Sequence, residues 1–376
     1  MASILVLGSG MVGSAISLDL ADRHNVIATD ASLSALSRFE NSAGVTTQKL
    51  DVTNRSALRK AVADVDLVVS AVPGFLGYET LKTLIEEGKD VADISFFPEE
   101  ALDLQELAVA TGSVVVTDIG VAPGLCGLIL GHHDSSMTVD SFECLVGGLP
   151  KHPTSPWFYK APFSPLDVIE EYLRPARLVE GGMEVVKAAL TEPELVDFRT
   201  IGVLEAFNTD GLRSLLRTMK HIPDMVEKTL RYPGHRELAL QLRESGFFSE
   251  EIIEVQGQSI VPRELTSAVL LSQWKLETNE EEFTVMRVTV SGHENGENIA
   301  YVWDLYDEFD QVTKVSSMSR TTGYTCAGMA ECILDGTWRV AGVSPGEIVG
   351  RNSSESFSKV LGYLKARGVV LKTSQR

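Results

Sequence analysis

The chain has 376 residues, 44% hydrophobic and 23% charged, an ordinary globular composition with length for about two domains, which excludes a disordered chain or a fibrous repeat. Its 33 Lys and Arg against 52 Asp and Glu leave a formal charge of −19. That field repels phosphate backbones and anionic lipid, so nucleic acid is set aside as a partner.

The four cysteines, Cys126, Cys144, Cys326 and Cys332, form no CxxC pair and have no His at zinc-ligand spacing; they read as reduced core residues. Met1-Ala2-Ser3 passes at once into an apolar strand, without a basic leader or an apolar run of about 18 residues. The expectation is a cytoplasmic protein without a membrane span.

Ile4 to Leu7 is a short apolar run that ends in Gly8-Ser9-Gly10-Met11-Val12-Gly13, after which Ala15, Ile16, Leu18 and Leu20 recur at helical spacing. A second strand, Asn25 to Thr29, ends at Asp30, and a helix runs through Leu33, Leu36 and Phe39. The pattern continues with a strand at Lys49 to Val52, a helix around Ala57 to Val62, a buried strand at Leu67 to Val72 and a helix from Tyr78 to Glu87. Strands at Val91 to Phe96 and Val114 to Asp118 follow. Alternation of this kind predicts an α/β fold of Rossmann type with a doubly wound parallel sheet.

From about Asp140 the strands lengthen and alternate, as in Ser141 to Val146, Phe283 to Val290 and Ile299 to Tyr306. They predict a second α+β domain with a mixed sheet. Helices are expected at Gly211 to Thr229, Arg236 to Glu244 and Glu264 to Leu276, and again at Thr321 to Leu334 and Ser354 to Ala366.

A Gly-x-Gly-x-x-Gly triplet is weak alone, but here it follows a strand, opens a helix and precedes an acidic residue by about 20 positions. Gly8 allows the tight turn, Gly10 the close approach of a pyrophosphate and Gly13 the packing of helix on sheet; Met11 and Val12 carry the first helical amides. Asp30 is placed to accept from the adenine ribose hydroxyls. With no Arg before Arg38 to receive a 2′-phosphate, NAD is the expected cofactor. Asp51 and Val52 either flank the adenine or form a solvated turn ahead of a helix. Ala71, Val72 and Pro73, after the fourth apolar strand, lie where the cofactor would pass.

Four further motifs follow in order: Thr117 to Leu125 (TDIGVAPGL), Tyr159 to Pro165 (YKAPFSP), Ala206 to Arg213 (AFNTDGLR) and Thr229 to His235 (TLRYPGH). Together with the glycine turn and Arg320 to Tyr324, the chain resembles the saccharopine dehydrogenase family, and within it the lysine 6-dehydrogenase branch. The resemblance implies an NAD-binding Rossmann domain from residues 1–130 plus about 320–376, and a substrate and oligomerisation domain over about 131–319. It also implies a homodimer or larger homo-oligomer acting on a small amino acid. The implied reaction is NAD-dependent oxidation of L-lysine at the ε-carbon, giving an imine that water converts to the semialdehyde and ammonia; the product then cyclises. Ala122 supports this branch, since the saccharopine-handling one commonly carries an acidic residue before the Pro-Gly pair.

A protonated amine cannot release hydride, so the site needs a proton acceptor, for which Lys160, Tyr159 and Asp118 are candidates. Lys160 reads more readily as a surface lysine. Arg213 is the preferred clamp for the substrate carboxylate, against a helix-surface reading. Asp210 is a candidate for the α-ammonium or an N-cap, with Asn208 and Thr209 beside it, and Arg231 with His235 a second anion anchor or the frame of a loop. Glu250-Glu251 and Glu280 to Glu282 read as solvated faces, His132 and His133 as structural, and no metal is expected. Two other readings stand: a saccharopine or carboxynorspermidine-type reductase, which usually takes NADPH, and a noncatalytic NAD-sensing Rossmann protein.

Overall fold

In the computed structural model, which describes residues 1–40, 42–161, 165–199, 201–277 and 279–376, the first third forms strands β1 (Ser3–Leu7), β2 (Asn25–Asp30), β3 (Val45–Lys49), β4 (Leu67–Ser70), β5 (Val91–Asp93) and β6 (Val114–Val116). All pair in parallel, in the order 6-5-4-1-2-3. Ile4 to Leu7 and Leu67 to Val69 are fully buried, because helices on both faces leave no solvent side; such strands read as unbroken apolar runs. The third strand lies earlier than the expected Lys49 to Val52. It is an edge strand whose Thr46, Thr47 and Gln48 are exposed, so it carries no apolar signal. The helix expected through Phe39 is one short α-helix and a 3-10 turn.

The second layer is built from β7 (Thr138–Pro150), β8 (Ala176–Glu180), β9 (Met183–Lys187), β10 (Glu194–Phe198), β11 (Gly202–Asn208) and β12 (Asp224–Arg231). After a separate hairpin, β13 (Ile253–Val255) and β14 (Gln258–Ile260), come β15 (Glu282–Glu294) and β16 (Glu297–Glu308). Within this mixed sheet β12 runs parallel to β7, and the remaining pairings are antiparallel. The helix expected over Gly211 to Thr229 is instead the short helix Leu215–Thr218 followed by β12. Pro223 cannot continue a helix, and from Met225 onward the side chains alternate between the two faces of a strand.

The chain then returns to the first layer. Helix Ser317–Leu334 packs on Met11–Ala21, and Ser354–Ala366 packs on Ser317–Leu334; β17 (Gly342–Val343) adds a seventh parallel strand beside β6. The last strand, β18 (Leu371–Gln375), pairs with β16. The first domain therefore does not include the whole of 320–376: its final strand completes the free edge of the mixed sheet.

Glu282 departs from the solvated run expected at Glu280 to Glu282. It is buried, its carboxylate accepts from the Ser317 amide at the start of Ser317–Leu334, and burial pushes it up to about 8. His133 Nε2 accepts from Trp303 Nε1 at 2.9 Å, and His132 stacks on Phe357 at 4.0 Å. The four cysteines are free and buried. Among the described residues no helix is long and apolar enough to cross a membrane.

Candidate active site

The glycine turn is tightly built. Gly8 has φ +92°, and a Cβ there would lie 2.4 Å from the Ala71 carbonyl oxygen. A Cβ on Gly13 would lie 2.0 Å from the Gly8 oxygen, so both positions require glycine for close approach. Gly10, the N-cap of Met11–Ala21, meets nothing within 4 Å. The helix N-terminus is thus open to an anion just where the backbone is barest, and the residues fit a dinucleotide pyrophosphate. The Ser9 amide donates to Asp30 Oδ2 at 2.9 Å and the Ser32 amide to Oδ1 at 2.8 Å, which fixes the Asp30 carboxylate beside the turn. Asp51 instead accepts from the Thr53 hydroxyl and amide at 2.7 and 2.9 Å. These bonds hold its carboxyl below the usual range, and the solvated-turn reading describes it. Val52 packs partly into the core beneath the neighbouring helices.

A cavity of about 240 Å³ opens between the carboxyl edge of the parallel sheet and the mixed sheet. From the first layer it is lined by Val12, Val72, Pro73, Asp118, Ala122 and Thr322, among others. From the second come Glu171, Arg174, Thr209, Asp210, Glu227, Thr229 and Arg231. Glu227, Thr229 and Arg231 are alternate residues of β12 and so share one face. Arg231 is held by several partners: Nε donates to Tyr172 Oη at 3.1 Å, Nη1 to the Leu230 carbonyl at 2.9 Å and Nη2 to Glu171 at 3.1 Å. Its guanidinium lies 4.5 Å from the Tyr159 ring centroid. Behind it, buried His235 contacts Tyr172 Oη at 2.8 Å and the Trp157 carbonyl at 2.8 Å. Burial and the nearby Arg231 bring His235 down to about 3, so its ring is neutral.

The expected site residues separate into two groups. Asp118, Thr209, Asp210 and Arg231 line the cavity; Lys160, Tyr159, Arg213 and Asn208 do not. Lys160 Nζ donates to the Lys275 carbonyl at 3.3 Å and pairs with Glu280 at 3.8 Å, next to the bridge between Ala161 and Lys275. It does not line the cavity, where a proton acceptor was expected of it. Buried Tyr159, whose phenol burial pushes well up, supports Arg231 from behind. Arg213 is not a free clamp: Nη1 donates to the Phe97 carbonyl at 2.6 Å and Nη2 to Asp118 at 3.2 Å, tying the second domain to the first. Asp210 takes a two-pronged bond from Arg177, 2.9 Å on each side, and Asn208 Nδ2 donates to Glu192 at 3.0 Å. Thr209 and Thr229 hydroxyls meet at 2.8 Å. Pro162, Phe163 and Ser164 of the expected Tyr159 to Pro165 motif lie outside the described residues.

Sequence reasoning missed Glu171, Arg174 and, above all, Glu227. The signal for Glu227 was present in the polar alternation of β12, but the expected helix hid it. Among the described residues no cluster of three or more His, Cys, Asp or Glu is arranged to hold a metal.

Residues 4–116 match the saccharopine dehydrogenase NADP binding domain, and residues 120–369 the saccharopine dehydrogenase C-terminal domain. The chain belongs to the saccharopine dehydrogenase family. A saccharopine dehydrogenase (NADP+, L-glutamate-forming) of Schizosaccharomyces pombe is 29% identical over 293 residues, 73% of this chain and 65% of the relative. The chain thus spans less than two thirds of that relative's length. A carboxyaminopropylagmatine dehydrogenase of Synechocystis is 24% identical over 373 residues, 91% of this chain and 92% of the relative. The apo saccharopine dehydrogenase (L-Glu forming) of Saccharomyces cerevisiae superposes with a TM-score of 0.79 at 23% identity, covering 100% of both chains. This family member therefore shares its whole fold with that structure.

Proposed function

We propose that the chain is a nicotinamide-dependent dehydrogenase that oxidises a carbon–nitrogen bond of an amino acid, with L-lysine as substrate at its ε-carbon and NAD as cofactor. One observation carries this reading. A single cavity is lined both by the carboxyl edge of the glycine-turn sheet, at Val12, Val72 and Pro73, and by the polar face of β12. Ligands of open α/β sheets bind at that edge, so the residues that would receive a dinucleotide and those able to grip a zwitterion face each other.

Gly8, Gly10 and Gly13 with the first amides of Met11–Ala21 would hold the cofactor pyrophosphate, and Asp30 the adenine ribose. Bound nicotinamide supplies a hydride acceptor. The chain's own residues do the rest. Arg231, fixed by Tyr172, Tyr159 and Glu171, presents a buried cation for the substrate carboxylate, assisted by Arg174 at the same cavity. The apolar lining from Val72, Pro73, Ala122 and Met318 excludes water from the reacting carbon. The amine must be neutral before hydride leaves, and the acidic side chains at the cavity can take its proton.

Asp30 supports NAD, because its carboxylate opposes a 2′-phosphate. NADP has its own support in the named NADP-dependent relative and in Ser32, Ser34 and Arg38, which lie in the eight residues after Asp30. Asp30→Ala with Ala31→Arg should move preference toward NADP; undiminished use of NAD would remove Asp30 from the argument. The second substrate reading, saccharopine, is favoured by the family relatives. Absorbance of reduced nicotinamide, followed with NAD or NADP and a panel of amino acids, separates them. Growth with L-lysine alone, with release of ammonia, supports the reading. Growth only with saccharopine, or consumption of reduced cofactor with lysine plus 2-oxoglutarate, replaces it with the second.

A further inference from the structure

Four carboxylates line the cavity, and three have guanidinium partners. Asp118 pairs with Arg213 at 3.2 Å, Asp210 with Arg177 at 2.9 Å and Glu171 with Arg231 at 3.1 Å. Glu227 has none: among the described residues no hydrogen bond or ion pair reaches its carboxylate, although the residue is buried and lines the cavity. Its position is made by a glycine. A Cβ on Gly211 would fall 1.0 Å from Glu227 Oε2, so the carboxylate occupies the space that Gly211 leaves empty. On the same face of β12, four residues along, stands Arg231; at ~3.3 Å per residue the two Cα atoms are ~13 Å apart. One strand face therefore offers a cation at one end and an unmatched acid at the other.

We propose that Glu227 recognises the side-chain amine of the substrate and accepts its proton, and so selects a cationic amine over a substrate carrying a further carboxylate at that end. This rests on the reading of the site as an amine dehydrogenase. The steps balance. The N–H bond of R–CH2–NH3+ breaks, its proton moves to the Glu227 carboxylate and the electron pair stays on nitrogen. The C–H bond then breaks, its electron pair leaving as hydride to the oxidised nicotinamide, while the nitrogen lone pair closes the C=N bond. The products are the iminium and the reduced nicotinamide.

The other three acids are poorer candidates, because each is already engaged by a guanidinium of the chain itself. Glu227 is pushed well above the usual carboxylate range by burial first, then by the Cys126 thiol and the carboxylates of Glu171 and Asp210, with Arg231 opposing. Burial thus favours the neutral form of this acid, and an arriving ammonium favours its carboxylate. A tricarboxylate such as saccharopine would bring a negative charge toward a side chain that can offer it at most one hydrogen bond and no positive charge.

The test is calorimetric binding to protein saturated with reduced cofactor, using L-lysine and L-norleucine, which lacks only the terminal amine. Wild type should prefer lysine, and E227Q should shrink that preference roughly tenfold to hundredfold. Measured in two buffers of different ionisation enthalpy near neutral pH, lysine binding should release protons in the wild type, and norleucine binding should release none. Should E227Q not fold, the wild-type proton release decides alone, and Gly211→Ala, which displaces the carboxylate without removing it, should lose the preference as well. A preserved lysine-to-norleucine ratio in E227Q, or lysine binding without proton release, overturns the role of Glu227. If the wild type still oxidises lysine in that case, the substrate reading survives. A wild type that ignores lysine and turns over saccharopine overturns both.

Discussion

Asp118→Asn isolates the charge that ties the two domains beside the cavity. Asp118 has φ +50°, a left-handed conformation that Asn also tolerates, so the backbone is kept and only the carboxylate charge is lost. Its partner Arg213 is buried, with Nε lacking a partner. Removing one member of a buried ion pair typically costs ~3–5 kcal/mol. Here the guanidinium keeps the Phe97 carbonyl at 2.6 Å and the Phe96 ring at 4.6 Å, and hydrogen bonds to charged groups are worth ~1.5–3 kcal/mol. The expected loss is therefore about 2 kcal/mol. Unfolding entropy of ~2.1 cal/mol/K per residue over 376 residues gives ~0.8 kcal/mol/K, so with both domains unfolding together Tm should fall ~2–3 °C. Scanning calorimetry of D118N beside wild type measures it. Asp118→Ala should lose more, since the left-handed backbone then adds ~1 kcal/mol of strain. An unchanged or raised Tm in D118N would show that the Asp118–Arg213 pair does not hold the junction.

Gly10→Ala should leave unfolding within about 1 kcal/mol of wild type, because nothing in the chain lies within 4 Å of the added Cβ, yet weaken nicotinamide binding at least roughly tenfold by titration. Gly13→Ala, whose Cβ would meet the Gly8 oxygen at 2.0 Å, should lose both stability and binding. Glu282 carries a pH signature: its folded value of about 8 lies above the unconstrained 4.5, so across that interval the folded state keeps a proton that the unfolded chain has released. Stability from this group therefore falls as pH rises from 4.5 to about 8 and is level beyond; the difference, 8 − 4.5 = 3.5, sets a ceiling of ~5 kcal/mol. Denaturant titrations of Glu282→Gln should show that slope flattened, and an unaltered slope would assign it to other groups such as the adjacent Asp307. Lys160→Met should leave turnover within about twofold, because the Lys160 ammonium faces Lys275 and Glu280 rather than the cavity; a collapse of turnover with intact binding would restore it as the proton acceptor.

What the chain discloses before folding depends on how local the physics is. The glycine turn and Asp30 are legible because strand, turn and helix follow within thirty residues, and each glycine answers to a backbone contact inside that unit. The long strands β7 and β15 are legible because they carry long stretches of buried residues. The surroundings of Lys160 and Arg213 are not legible for the opposite reason: the partners that hold them lie 115 residues away at Lys275 and 95 away at Asp118. Spacing along the chain carries no trace of such pairs. Glu227 is the instructive case, because a local signal existed. Leu212, Leu215, Leu216, Met219 and Ile222 keep helical spacing up to Pro223, and the eye extends that period to Thr229. Proline ends the period, and beyond it Met225, Glu227, Thr229 and Arg231 alternate with Val226, Lys228 and Leu230. Read as a strand, the stretch puts an acid, a hydroxyl and a guanidinium on one face. Thr209 meets the hydroxyl, and Tyr172 and Glu171 meet the guanidinium, which leaves the buried acid to be met by a ligand; Gly211 has surrendered its side chain to give that acid room.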